Sequence, residues 1–232
     1  MYLPKHFEED RFELLSGLIR AQPLGLLVTQ SSQGLQANPI PFLLDPEPTP
    51  YGTLRGHVAR ANPLWRESRT DVESLVVFQG PQAYVSPAWY ATKAETGKVV
   101  PTWNYVMVQA RGRLRCIDDA QWVRALVGRL TQTHEAPRAA PWAVEDAPAD
   151  YISSMVRAIV GIEIELTALR GKWKLSQNRS AEDRQGVSAG LRQEGASSGD
   201  VLAARAAEMA RWIDLAGAGE PGLALPSAAR PD

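Results

Sequence analysis

Thr102-Trp103-Asn104-Tyr105-Val106-Met107-Val108-Gln109-Ala110-Arg111-Gly112-Arg113-Leu114-Arg115-Cys116-Ile117 reads as one long strand, and Ile162-Glu163-Ile164-Glu165-Leu166-Thr167 as another. In the second, Ile162, Ile164 and Leu166 alternate with Glu163, Glu165 and Thr167, the period-two pattern of a strand with one buried face. Further strand runs lie at 24–29, 35–44, 53–58, 74–78, 83–85 and 172–176. Pro39 and Pro41 put 35–44 at an edge or in an irregular stretch, and Gly80-Pro81 predicts a break between 74–78 and 83–85. Many short strands at close spacing with few helices predict a mainly β, α+β fold: a small antiparallel barrel, closed or nearly closed, with peripheral helices. A parallel α/β sheet needs regular strand–helix alternation, which the first half lacks.

Helices frame these strands. Phe12, Leu15, Leu18 and Ile19 recur at helical spacing within 8–22, and Pro23 stops that run. Asn62-Pro63 opens a short helical piece carrying Leu64 and Trp65. Asp118 is expected to cap a helix from Asp119 to about His134, with Trp122, Val123, Leu126, Val127 and Leu130 as its buried stripe. Residues 149–159, 180–193 and 201–215 are helical in composition, and the Ala-, Gly- and Pro-rich end is expected to fray. The expected organisation is one domain over 1–195 and a C-terminal helix with a flexible tail over 196–232.

The 232 residues are 44% hydrophobic and 22% charged, which excludes a disordered, collagen-like or disulfide-scaffold chain. One cysteine, Cys116, allows no intrachain disulfide and fits a reducing compartment. No apolar run is long enough to cross a bilayer, and the first residues lack the apolar core of a signal peptide, so a cytoplasmic protein with no membrane partner is expected. The net charge of −1 gives no general pull toward a polyanion. Only five of the 25 basic residues are lysines, and four of those fall in two short segments, Lys93 with Lys98 and Lys172 with Lys174.

Several motifs imitate catalytic ones. Gly186-Val187-Ser188-Ala189-Gly190 matches a nucleophile elbow, but a charged helical stretch precedes it and no histidine follows His134. The segment from Thr92 to Val99 resembles the end of a phosphate-binding loop without its first glycine or its magnesium-holding hydroxyl, and reads as a loop. No dinucleotide fingerprint is present, and His6, His57 and His134 have no metal-ligand spacing, so no metal is expected.

Three clusters carry chemistry instead. On a strand, Arg55 and His57 face opposite to Leu54 and Val58, with Arg60 and Asn62 at the following turn. A guanidinium beside free backbone N–H groups suits a phosphate; the alternative is an exposed strand face with solvated arginines. Trp103, Asn104 and Tyr105 in succession cannot all face one core, so at least one aromatic faces outward, a pocket or a partner chain. Near Lys93 and Lys98 they suit a flat heteroaromatic anion, or an aromatic core edge or dimer interface. Lys172 and Lys174 share a face opposite Trp173, followed by Gln177 and Asn178. Two like charges side by side favour an anion between them; the alternatives are an edge strand guarded against aggregation and a nucleic-acid contact.

The stretches 1–7, 53–63, 78–87, 99–105 and 171–179 together resemble, in order, the PaiB family of FMN-binding negative transcriptional regulators. The resemblance runs to about Leu191. It implies a split antiparallel β-barrel related to pyridoxamine-phosphate oxidase, with FMN as cofactor and a homodimer holding it near the subunit interface. By position in the motifs it implies that Arg55, His57 and Arg60 meet the FMN phosphate and that Trp103, Asn104 and Tyr105 lie near the flavin. Lys172, Lys174, Gln177 and Asn178 are further contacts. Gln82 stands where histidine is common in the family. No catalytic residue is assigned. The family label implies DNA as a partner, which the charge supports poorly. The alternatives are an FMN-dependent, flavin reductase-like oxidoreductase, with His57 or Tyr105 as proton donor, and a non-catalytic flavin sensor.

Overall fold

A computed structural model describes residues 1–47, 49–197 and 200–217. The chain runs β1 (Glu8–Glu9), α1 (Phe12–Ala21), β2 (Leu24–Ser31), β3 (Gly34–Pro41), β4 (Leu43–Asp45), β5 (Thr53–Ala59), α2 (Leu64–Glu67), β6 (Ser74–Val85), α3 (Thr92–Thr96), β7 (Thr102–Ile117), α4 (Ala120–Glu135), α5 (Ala149–Arg157), β8 (Ile159–Lys174), α6 (Ala181–Ser197) and α7 (Asp200–Gly217). The strands form one sheet in the order β3-β2-β6-β7-β8-β5-β4, with β1 beside β8. No helix among the described residues is long and apolar enough to cross a membrane.

Two compact units divide the chain. One contains Ile19–Phe78 and Gln109–Leu169. Within it β2 and β3 form a two-residue hairpin that pairs Leu24 with Pro41 at one end and Ser31 with Gly34 at the other. Gly34 has φ +103°, a conformation that glycine adopts without steric cost. Pro39 and Pro41 are tolerated because β3 ends the sheet path. The chain then turns at Phe42, whose N–H donates to Pro23 O over 2.9 Å, and re-enters the sheet as β4 against β5 at the opposite end of the path. A single residue therefore joins the two ends of an open sheet, which makes this unit a split antiparallel barrel. β5 packs tightly on the junction, since a Cβ on Gly56 would meet Ile40 and the Pro41 carbonyl at 3.0 Å. Leu27, Phe42, Leu54, Val76, Phe78, Ile162 and Ile164 fill the interior, with Phe42 and Phe78 edge to face at 6.1 Å.

The other unit contains Met1–Leu18, Gln79–Val108 and the described residues from Arg170 onward. Its core joins Leu15 and Leu18 of α1, Val106 of β7, Trp173 of β8, Val187 and Leu191 of α6, and Met209, Trp212 and Ile213 of α7. Trp173 and Trp212 meet at 6.1 Å between ring centroids.

Several expectations are corrected. β6 runs unbroken through Gly80-Pro81. Its buried set shifts from Ser74, Val76 and Phe78 to Pro81 and Val85, so the feature expected to end the strand changes its inward face instead, as a bulge does. β8 is likewise one strand: Val160, Ile162, Ile164 and Leu166 point inward, then Leu169, Gly171 and Trp173. Glu8 and Glu9 belong to β1, not to α1, because their backbones pair with Lys172 and Gly171. Asp119, not Asp118, caps α4: its Oδ1 accepts from the Trp122 N–H at 2.8 Å, while Asp118 is taken by Arg60. Thr92–Thr96 form a short helix closed by Gly97 at φ +65°, where a loop was expected.

Candidate functional site

The candidate residues fall in both units, and each set has its own chemistry. In the barrel unit, β5 pairs Arg55 with Leu43 and Glu163, and His57 with Gly161. As expected, Leu54 and Val58 are buried opposite to them. The outer face is not open strand, however. The Trp122 ring of α4 lies where a Gly161 side chain would stand, and Arg129 of α4 binds Asp45. Arg55 donates to Glu163 at 2.7 Å and to Asp45, and Glu163 also accepts from Arg115 at 2.6 Å. Burial pushes the Asp45 carboxyl up, yet the Arg129 hydrogen bond and the charges of Arg129 and Arg55 outweigh it and hold the group below its ordinary value. Burial likewise raises Glu163, and the hydrogen bonds from Arg55 and Arg115 bring it down further. Arg55 thus stands in a network whose carboxylates already answer its charge.

His57 has a buried Nδ1 with no hydrogen-bond partner, and burial lowers its pKa. At the exit turn Arg60 straps three chain segments together. Its guanidinium donates to both Asp118 oxygens at 2.8 and 2.6 Å, to Arg157 O at 2.7 Å and to Ile159 O at 3.3 Å. Asn62 accepts from the Leu64 N–H at 2.9 Å and donates to Asn38 at 3.1 Å.

The other unit brings together residues 67 or more positions apart in the chain, from Trp103–Tyr105 to Lys172–Asn178. β7 alternates strictly here: Asn104 is buried, Trp103 is 53% exposed and Tyr105 lies between. Lys172 and Lys174 hold their ammonium groups 5.4 and 5.9 Å from the Tyr105 ring centroid, within cation–π reach. Lys172 also donates to Tyr2 O at 3.1 Å, and Lys174 to Thr102 Oγ1 at 2.5 Å and Trp103 O at 2.6 Å. Burial lowers the Lys174 pKa first, and the charges of Lys172 and Arg179 lower it further. Among the described residues none of these three cations is paired with a carboxylate.

Below them the Asn104 amide donates to Ser176 Oγ at 2.9 Å and its Oδ1 is buried without a partner. Turning the amide over would leave its nitrogen orphaned instead, so one buried polar atom is unfilled either way. Ser176 sits at φ +65°, a left-handed conformation that costs a serine about 1–2 kcal/mol. Gln177 is spent on the strand end, accepting from Leu175 N–H at 2.7 Å and donating to Trp173 O, while Asn178 is exposed. The sequence reading missed Ser176, Thr102 and the Tyr2 carbonyl. It also missed the carboxylates that engage Arg55 and Arg60; nothing local signals a partner tens of residues away.

The residues suit an anionic, planar group with hydrogen-bonding edges. Unanswered positive charge surrounds an aromatic ring, and orphaned buried polar atoms occur at both His57 and Asn104. An open antiparallel sheet bridged at one residue, with such a set on its long strands, defines a split-barrel flavoprotein. The solved structure of the flavocytochrome Anf3 from Azotobacter vinelandii shares the fold, with a TM-score of 0.54 at 13% identity over 79% of this chain and 78% of that one. So does that of a FAD and heme binding protein from Mycobacterium smegmatis, with a TM-score of 0.53 at 15% identity over 79% and 80%. Residues 1–168 match the family described as "Putative FMN-binding domain", and the chain belongs to that family. It is 30% identical to the Protease synthase and sporulation protein PAI 2 of Bacillus subtilis, over 84% of this chain and 90% of that protein. It is also 36% identical to an uncharacterized protein of Emericella nidulans, over 88% and 95%. The protein is a flavin-binding split-barrel protein similar to PaiB-type regulators.

Proposed function

We propose that the flavin is FMN and that the protein is a cytoplasmic, homodimeric regulator of the PaiB kind, with FMN near the subunit interface. The observation that carries the FMN reading is the pair Lys172 and Lys174, which lies beside Tyr105 and, among the described residues, has no carboxylate partner, with the Arg179 charge near Lys174. FMN, when bound, supplies an electron-accepting ring and a phosphate dianion. The chain's own residues do the rest. Lys172 and Lys174 favour negative charge on what they hold, and the second ammonium loses its mutual repulsion when that charge arrives. Asn104 offers its unfilled amide atom to a ring edge, and Trp103 and Tyr105 offer flat surfaces. Gln177 and Asn178 frame the same strand end. Arg55, His57, Arg60 and Asn62 of the barrel unit are the alternative phosphate set, in which Arg60 would have to exchange Asp118 for the phosphate.

The test is a comparison of FMN with riboflavin, which lacks the phosphate. Lys174→Ala is expected to weaken FMN at least about 10-fold, the size of one charge-assisted contact, and to change riboflavin much less. Arg60→Ala is expected to cost less, because Arg60 first surrenders Asp118. Equal affinities of the wild-type protein for FMN and riboflavin would sink the phosphate assignment.

A further inference from the structure

We propose a second binding site, for a small aromatic carboxylate, in the cavity that β6 and β7 form with α6 and α7. The cavity has a volume of about 330 Å³ and is lined by Tyr84, Trp103, Leu191, Gly195, Arg205 and Ala206, among others. That is the size of a ligand with one or two rings. The two α-helices lie beyond the residues 1–168 that match the family, so five of the nine lining residues come from outside the matched region.

Three features select the ligand. Tyr84 and Trp103 are 47% and 53% exposed and meet edge to face at 6.0 Å, leaving ring surface open toward the cavity. Such a pair accepts a further aromatic ring in an offset or edge contact. Gly195 and Ala206 let α6 and α7 approach closely along the cavity: a Cβ on Gly195 would already meet the Ala203 carbonyl at 3.1 Å and the Ala206 methyl at 3.4 Å. Arg205 is exposed and, among the described residues, has no carboxylate partner. Its planar fork matches a carboxylate in two parallel hydrogen bonds. Glu194 lines the same cavity, so a carboxylate ligand would turn its charge toward Arg205 and away from Glu194. Trp103 belongs both to this cavity and to the flavin set. Ligand and flavin are therefore coupled reciprocally through one side chain.

The experiment is isothermal titration of the FMN-loaded protein with 2-naphthoate and with its uncharged analogue 2-naphthalenemethanol. The wild-type protein is expected to bind naphthoate at least 10-fold more tightly than the alcohol. Arg205→Gln should erase that preference without changing the flavin spectrum, and Ala206→Leu, which fills the cavity, should weaken both probes at least 10-fold. Equal binding of the two probes overturns the proposal. So does an unchanged preference in Arg205→Gln, or expulsion of FMN by naphthoate. A protein that takes up no FMN would overturn the flavin reading alone, and the same titration on the flavin-free chain would then decide this site.

Discussion

His57 carries its imidazole on the outer face of β5, beside the strand Gly161 and the Trp122 ring that covers it. Burial holds its pKa below the ordinary histidine value, so the folded chain binds fewer protons there than the unfolded chain. Stability from this residue is complete above a pH of about 6.5 and is lost as the pH falls through the folded value. A melting series from pH 7 to pH 5 is therefore expected to fall more steeply for the wild-type protein than for His57→Gln; parallel curves would refute it. Asp45 and Glu163 have lowered pKa values and lose their arginine pairs only under stronger acid. The Lys174 pKa is lowered too, first by burial and then by the charges of Lys172 and Arg179, and a bound anion would raise it. The same residue scale shows what was readable in advance. Alternation on β7 announced that Asn104 and its neighbours could not share a face, and the structure sends Asn104 inward and Trp103 outward. The left-handed Ser176 beneath Asn104 had no signature, because its φ is imposed by packing around it.

Among the elements, α6 explains the false nucleophile motif. Gly186 and Gly190 lie one turn apart and form a notch that receives Trp89: a Cβ on Gly190 would clash with the Trp89 ring, and one on Gly186 would strike the Trp89 carbonyl. Ser188 between them is buried, bonded to Ala210 O and to Arg192. Gly-x-Ser-x-Gly is here a docking surface for an aromatic ring. Asp183 completes the dock by accepting from the Thr92 N–H at 3.0 Å and its hydroxyl at 2.9 Å. Alanine in place of glycine inside a helix contributes roughly 0.5–1 kcal/mol where space is open. Gly128 on α4 has open space, so Gly128→Ala should raise the unfolding free energy by about that amount. Gly190→Ala should lower it by about 1–3 kcal/mol, as overpacking does. Denaturant melts of both variants check the pair, and a stabilised Gly190→Ala would remove Trp89 from the notch. α1 and α4 were legible from their apolar periodicity and α5, α6 and α7 from composition, whereas α3 read as a loop. The continuity of β6 and β8 was not, since Gly80-Pro81 reads as a stop unless a neighbouring strand carries the chain through.

At the scale of the whole molecule, a net charge of −1 sits beside local basic clusters. Carboxylates answer Arg55 and Arg60 of the barrel unit, and among the described residues the lysines near Tyr105 are paired with none. One small anion matches that arrangement better than a duplex backbone, whose binding needs many phosphates met at once. The protein is expected not to retain random-sequence duplex at physiological salt. Retention with a steep salt slope in a filter-binding titration would instead reveal a basic surface. The proposed homodimer is expected to release FMN on dilution in step with dissociation, read by sedimentation and flavin fluorescence together. Release at constant mass would place the flavin within one chain.

The sequence by itself determined the alternating strands, the amphipathic helices and the family motifs, because each depends on side chains a few residues apart. It also determined the balance of charge. Only the tertiary structure decided which cations are free. Asp118 reaches Arg60 across 58 positions, and Glu163 reaches Arg55 across 108. Whether an arginine is available to a ligand depends on such distant carboxylates, and folding alone brings them within reach.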